Sequence, residues 1–412
     1  MSLHTHTHTP GPGPRSGSPA QTAAHRTSAS AAPVVIVGAG LSGLVVANLL
    51  ERSGLGLEVT LLEARERIGG RVLGLDSADG MHRFDLGPAW VWPQANPRLA
   101  DWLHTLGLRV FEQHTRGAGL VELPSQAVRR HATGFAQQPP SMRVVGGMSA
   151  LTDALRARLQ RTQLVLGARV RSLHAQADGS VGVGVEVEVE IERAEQGTTL
   201  MASSVVLAMP PRLLASGLRW SPPLPAALQQ RWADAPTWMA GHAKLLAVYA
   251  TPFWRAAGLS GSAVSQAGPL AEVHDASDAE GGHAALFGFV GVPVAWRRRM
   301  GRQALIDAAL AQLARLFGPE ALAPQSVQLQ DWADEPGTAT PADAAPVSAH
   351  PVPVSTAMPA PWRDCIQLAG SEFAPDFAGY LEGAVLAAEL AAEHAVRNLL
   401  AQRAASGLPL DV

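Results

Sequence analysis

The sequence predicts an α/β protein whose parallel sheet is assembled from segments far apart in the chain, joined to a second region of α+β character. Three observations predict it: an apolar tetrad followed by a glycine-rich turn and a helix, two more short apolar strands much later, and two intervening regions that hold most of the tryptophans. The chain has 412 residues, 47% hydrophobic and 16% charged, which is enough for two domains with separate cores. A formal net charge of −3, without long blocks of one sign, gives no electrostatic ground for nucleic-acid or membrane partners. Small molecules are expected instead.

Residues 1–32 are rich in Pro, Gly, Ser, Thr and Ala and lack an apolar period, so they cannot offset the entropy of ordering and are expected to form a disordered tail. That tail has no apolar core of a secretory signal. His4, His6 and His8 alternate with threonines there and are read as solvated, so no metal site is expected. From Pro33 the pattern becomes strand (Val34-Val35-Ile36-Val37), glycine turn, helix (Leu44 to Arg52) and strand (Val59-Thr60-Leu61-Leu62), a parallel βαβ unit. Val181 to Glu192 alternates valine with Gly or Glu after an Asp178-Gly179 turn signal, as in a half-exposed antiparallel strand. A second apolar strand, Ser204 to Ala208, stops at Pro210-Pro211. The third, Ile366 to Ala369, runs into Gly370 and a last helix from about Tyr380 to Leu400.

Pro336 to Pro361 has little periodicity and reads as a long connector. No run of about 20 uncharged apolar residues occurs; Glu382, Glu389 and Glu393 interrupt the Ala-rich C-terminal stretch. The single cysteine, Cys365, excludes an intrachain disulfide and a cysteine-based metal cluster, so a reducing compartment, by default the cytoplasm, is expected.

The chemistry-bearing residues begin with Gly38-Ala39-Gly40-Leu41-Ser42-Gly43, a G-x-G-x-x-G turn directly after a buried strand and directly before a helix. The first glycine permits the tight turn, the second lets backbone approach a pyrophosphate, and the third packs helix on strand. Glu63 ends the next strand 20 residues after Gly43, where an acidic side chain accepts hydrogen bonds from ribose hydroxyls. Together these predict a Rossmann-type dinucleotide site.

Further segments carry a resemblance. Glu63-Ala64-Arg65-Glu66-Arg67-Ile68-Gly69-Gly70-Arg71 resembles the motif shared by amine oxidases, phytoene desaturases and protoporphyrinogen oxidases, which implies FAD rather than NAD and places Arg71 by the pyrophosphate and flavin. Leu368-Ala369-Gly370-Ser371-Glu372 followed by Gly379-Tyr380-Leu381-Glu382-Gly383-Ala384 resembles the flavin monoamine and polyamine oxidase family. Physically, that strand would deliver Glu372 toward the cofactor, and the helix N-terminus would face the flavin and stabilise its reduced, negative form.

Phe84-Asp85-Leu86-Gly87-Pro88-Ala89-Trp90, Gly146-Gly147-Met148, Val170, Val206 to Pro211 and Asp331-Trp332 resemble other patches of the same family. The resemblance covers nearly everything from Pro33 to about Leu400. It implies contacts to FAD from Gly87, Pro88, Ala89, Trp90 and Trp332, and an adenine contact from the Val170 backbone.

Lys244, the only lysine in the chain, lies in Gly241-His242-Ala243-Lys244, which resembles the family segment whose lysine holds a water against flavin N5. Tyr380 matches one of two tyrosines that flank the substrate nitrogen in the family; no aromatic matches the other. Thr338-Ala339-Thr340-Pro341-Ala342 stands where covalent members carry a cysteine, so the FAD is expected to be non-covalent. Trp90 and Val91 follow Gly87-Pro88-Ala89 where L-amino-acid oxidases place an arginine, which favours a substrate without a carboxylate. His242 and His274 are expected to have surface or core roles.

The resemblance thus implies a Rossmann-type FAD-binding domain assembled from discontinuous segments (33–90, 143–212 and 355–402), an α+β substrate-binding domain (91–142 and 213–354) and a tail (403–412). The implied activity is oxidation of an amine to an imine, with hydride transfer to flavin N5 and oxygen reduced to hydrogen peroxide, catalysed with Lys244 and Tyr380. Expected partners are a small amine and oxygen, and a homodimer is one assembly the chain allows. Two alternatives share the nucleotide motifs: a flavin desaturase or dehydrogenase acting on a C–C bond, and a non-catalytic FAD-binding protein.

Overall fold

Five short strands pair side by side and all parallel, in the order Ile366–Leu368, Ser204–Leu207, Val34–Val37, Val59–Leu62, Gln163–Val165. They come from a computed structural model that describes residues 32–176, 186–193, 196–345 and 350–405. Within Val34–Val37 every residue is buried because both faces are covered. Val34 and Ile36 point into one core with Leu44, Val45 and Val385, where helices Leu41–Arg52, Ser149–Arg158 and Leu381–Ala405 pack. Val35 and Val37 point the other way, with Leu173, Val189, Trp232 and Cys365.

That second core is closed by a four-stranded sheet in the order Gln196–Ala202, Glu186–Arg193, Arg169–Gln176, Arg219–Ser221. Glu186–Arg193 is antiparallel to both neighbours, as its alternation predicts. The expected tail at the N-terminus, the Asp178-Gly179 turn and residues 406–412 lie outside the described residues. The last helix runs to Ala405, five residues beyond the predicted end.

A seven-stranded sheet makes the other layer, ordered Ser326–Asp331, Ala243–Tyr249, Ala284–Val290, Leu270–Asp275, Leu259–Ser265, Ala118–Glu122, Arg129–His131. It is antiparallel except where Leu259–Ser265 meets Ala118–Glu122. Side chains alternate across Ala243–Tyr249, a consequence of strand geometry. Ala243, Leu245, Ala247 and Tyr249 face a core shared with helix Arg302–Phe317. Leu246 and Val248 face Phe84, Leu86 and Ala89 instead. Lys244 is in register with Leu246, so the alternation turns the only lysine toward the segment that follows the second glycine motif. Among the described residues, no helix is long and apolar enough to cross a membrane.

Candidate active site

A cavity of about 740 Å³ is lined by residues of the glycine turn, the 63–71 segment, the 86–90 segment, the Lys244 strand and the start of the last helix. At one end the glycine turn is fixed by the chain itself. Gly38 has φ +102°, and a Cβ on it would lie 2.6 Å from the Ala208 carbonyl oxygen; one on Gly43 would lie 1.9 Å from that of Gly38. A Cβ on Gly40 would meet only Gly69 and Gly70, at 3.9 Å, so its other side opens to the cavity. The first turn of Leu41–Arg52 begins there and contributes Leu41 and Ser42 to the wall, with its unpaired amides and positive dipole end.

Glu63 is buried and holds the turn in place: one carboxylate oxygen accepts from the Ala39 N–H at 2.9 Å and the other from the Arg65 N–H at 3.0 Å. Arg65 Nη1 also reaches the second oxygen, at 3.5 Å, so it is the oxygen facing Ala39 that keeps a further lone pair for a ribose hydroxyl. The diglycine locks onto the same turn, with Gly69 N–H donating to Ala39 O at 2.8 Å and Gly70 at φ +58°. Arg65 reaches across to Glu335 (2.6 Å) and Thr338 Oγ1 (2.8 Å), so the segment after Trp332 closes over this end beside Ala64 and Val170. Cys365 is buried beside the parallel sheet, is not part of the cavity wall, and burial pushes its thiol up to about 12.

Three expected cofactor contacts are not in the wall. Ala39 and Gly43 are consumed in packing the turn. Glu372 is fully buried, and its carboxylate is turned away onto Arg71 (Nη1 2.7 Å, Nη2 3.1 Å) and the Ser371 hydroxyl. Burial alone would raise its pKa, but the Arg71 guanidinium brings it below the ordinary range. Glu372 therefore orients Arg71, which lines the cavity and also donates to the Trp238 carbonyl at 3.3 Å. A desolvated carboxylate needs such a partner.

At the other end Lys244 is buried among aromatics. Its Nζ donates to Gly87 O at 3.0 Å and stands 3.9 Å from the Phe287 ring centroid. Burial pulls its pKa down to about 7; the Asp85 carboxylate opposes that shift and Arg143 adds to it. Gly87, Pro88, Ala89 and Trp90 line the cavity together with Trp332, whose Nε1 donates to Leu86 O at 3.3 Å.

The turn into the last helix presents Gly379 and Tyr380 and the helix itself Leu381, and Gly370 also lines the cavity. Close approach there is chain to chain: a Cβ on Gly383 would lie 2.1 Å from Phe377 O, and Ser42 Oγ donates to Ala384 O at 2.9 Å. Glu382 caps a neighbouring helix, accepting from the Arg98 and Leu99 N–H groups at its start.

Tyr380 does not stand alone. Its hydroxyl is hydrogen-bonded to His350 Nδ1, and Trp238 packs 4.9 Å from His350 and 5.6 Å from Tyr380. His242 also lines the cavity, correcting the surface or core role expected for it; burial and Arg297 lower its pKa. His274 stays out of the wall and packs edge-on to Trp90 at 4.8 Å. Sequence reading missed Trp238, His350 and Phe289: the first two lie in segments without period, and Phe289 lies in an apolar strand, Ala284–Val290, that reads as core.

Comparison with known proteins identifies the family. The model of the family described as flavin containing amine oxidoreductase matches residues 125–396, and that of an NAD(P)-binding Rossmann-like domain matches residues 36–106. A probable flavin-containing monoamine oxidase A of Dictyostelium discoideum is 23% identical, over 85% of this chain and 94% of its own length. Putrescine oxidase of Kocuria rosea is 24% identical, over 74% of this chain and 83% of its own. The structure of cyclohexylamine oxidase from Brevibacterium oxydans shares the fold, with TM-score 0.70 and 20% identity over 90% of this chain and 99% of its own. The family match spans more than half of the 412 residues, Lys244 and the start of the last helix among them, so the protein belongs to the flavin-containing amine oxidoreductase family and is a flavin enzyme.

Proposed function

We propose that the enzyme binds FAD without a covalent bond and oxidises an amine that carries no carboxylate to the imine, with oxygen as the electron acceptor and hydrogen peroxide as product. In this reading residues 33–90, 143–212 and 355–402 form the FAD-binding domain and residues 91–142 and 213–354 the substrate-binding domain. The observation that carries the reading is a single lysine, buried and lining the same cavity as the glycine turn. The cavity fits the cofactor because Gly40 leaves open the cradle that a Cβ would fill.

The turn at Gly38 to Gly43 and the helix amides at Leu41 and Ser42 would hold the pyrophosphate, Glu63 the ribose and the Val170 backbone the adenine. Bound FAD supplies the acceptor for the hydride from the amine α-carbon. The chain's own residues do the rest. Tyr380, Trp238 and Trp332 give the amine an aromatic wall, and the buried Trp332 side helps exclude water, which favours the neutral amine. Lys244 holds or gives up a proton near neutral pH. The last helix directs its positive end to the cavity. Arg71 is committed to Glu372 and Arg65 to Glu335, which leaves neither to pair with a substrate carboxylate.

A panel of amines tests this. At least one should bleach the yellow protein anaerobically, air should restore the colour with release of peroxide, and denaturation should free all the flavin. No bleaching by any amine, or flavin that stays with the denatured chain, would overturn the corresponding part.

A further inference from the structure

Behind Lys244 a line of polar side chains leads away from the cavity. At the surface, a recess of about 340 Å³ includes Asp79 and His283 in its wall. His283 Nε2 is 2.9 Å from Asp79 and its Nδ1 is 2.6 Å from Asp278. The His283 ring stacks on that of His82, with centroids 5.4 Å apart. Beyond His82 come Arg143 and Asp85, an ion pair at 3.8 Å that is too long to be a hydrogen bond. Side-chain exposure falls steadily along the line: 56% at Asp79, 25% at His283, 11% at Asp278 and 2% at Asp85.

Four buried atoms on this line make no hydrogen bond within the protein: Asp278 Oδ1, His82 Nε2, Arg143 Nε and Asp85 Oδ2. Buried polar atoms of that kind are satisfied by ordered water, which needs two or more polar partners. Their other contacts are made. Arg143 Nη1 donates to Ser277 O at 2.8 Å, and Asp85 Oδ1 accepts from the Met148 N–H at 2.7 Å.

We infer that a water-bridged proton route runs from the recess at Asp79 and His283 through His82 and Asp85 to Lys244; this rests on the reading of Lys244 as the group at the reacting centre. An ammonium substrate gives up one N–H proton before its C–H bond is oxidised, and reduction of oxygen to peroxide takes one proton back. One proton therefore leaves and one returns per turnover, and no electrons travel along the route. In the outward direction a substrate N–H bond breaks and an Nζ–H bond forms on neutral Lys244. That proton then passes by water to the Asp85 carboxylate and by water again to His82 Nε2, while the other ring nitrogen releases one toward His283 and solvent.

The charges along the line suit this. Burial pulls His82 down to about 4 and Lys244 down to about 7, and Arg143 pushes both the same way, so both have neutral forms at neutral pH. Asp85 opposes the shift at Lys244, while Asp278 and Asp79 oppose it at His82, where His283 reinforces it. The neighbouring Arg255 is paired with Asp275 at 2.7 Å. Arg143 is the fixed charge that orients the bridging waters, not a carrier.

Because Lys244 is the only lysine, labelling lysine with 13C at Cε gives one resonance from the whole chain. After transfer of the FAD-loaded protein into D2O, its isotope shift follows exchange of the Nζ hydrogens with no substrate present. His82→Phe keeps the stacking and removes both ring nitrogens; it should slow exchange at least about tenfold with the melting temperature retained. Free imidazole should restore the rate in His82→Ala, which leaves room for it. His283→Gln, nearer the surface, is a second variant that should slow exchange as well. Unchanged exchange in His82→Phe, or no imidazole rescue in His82→Ala, would overturn the route. Wild type that no amine bleaches, yet whose exchange depends on His82, would overturn the functional reading and leave the route standing.

Discussion

The parallel sheet with its glycine turn and the seven-stranded sheet that carries Lys244 build two ends of one cavity by different means. At the first end the constraint is local. Gly38, Gly40 and Gly43 lie within six residues, and the backbone geometry they permit is the binding surface. At the second end the wall is made by side chains from remote strands and loops, which meet only because strand alternation and tertiary packing bring them together. Lys244 faces inward because it shares a strand face with Leu246, while Trp238, His350 and Tyr380 converge from three segments. The first end therefore tolerates almost no backbone change, and the second can be altered one side chain at a time.

Glycine substitutions should break this comparison most severely. In Gly43→Val the Cβ would sit 1.9 Å from the Gly38 carbonyl oxygen, so the variant should not fold to a soluble protein. In Gly40→Val the Cβ has ordinary contacts within the protein and the branched methyls point to the cavity, so the chain should fold and purify colourless. Gly40→Val that retains flavin would mean the turn does not hold the cofactor. Glu63→Ala should act more mildly, weakening FAD binding by about 1.5–3 kcal/mol through loss of a charge-assisted acceptor, or roughly ten- to a hundredfold in Kd by fluorescence titration.

The smallest effect concerns stability at the second end. The folded pKa of Lys244, about 7, lies below the ordinary lysine value of 10.5, so between those values the unfolded chain binds the extra proton. This site therefore makes folding more favourable as pH rises through that window and costs stability fully below pH 7. Lys244→Met should remove that slope and raise the denaturation midpoint at pH 6–7, measured by chemical unfolding across pH. A lower midpoint at pH 6 would show that the lysine stabilises the fold instead.

The same contrast explains what the sequence could show. The strand tetrads, the glycine turn and the Gly379 to Ala384 helix start follow from spacing and local backbone demands, and they folded as expected. Lys244 was legible as a motif, and the apolar run after it indicated burial. The motif that carries Glu372 fixes where its backbone goes, but Arg71, 301 residues away in sequence, decides where its carboxylate turns. Trp238 and His350 were invisible for a related reason. Gly379 at φ +83° has no side chain, and a Cβ there would lie 2.6 Å from Trp238 Cβ and 2.9 Å from Pro351 Cγ, so these segments meet through a close approach that neither announces. His242 was taken for a bystander because nothing local shows that the residue just before the Lys244 strand joins the cavity wall.

The seven-stranded sheet, through Lys244, should contribute chemistry and not only a wall. Stopped-flow measurement of each half-reaction, on wild type and Lys244→Met at matched FAD content, tests it most directly. Removal of a positioned charge should slow flavin reoxidation by oxygen at least about tenfold, while anaerobic reduction by the amine changes less. Unchanged reoxidation would remove Lys244 from the oxygen reaction and contradict the claim.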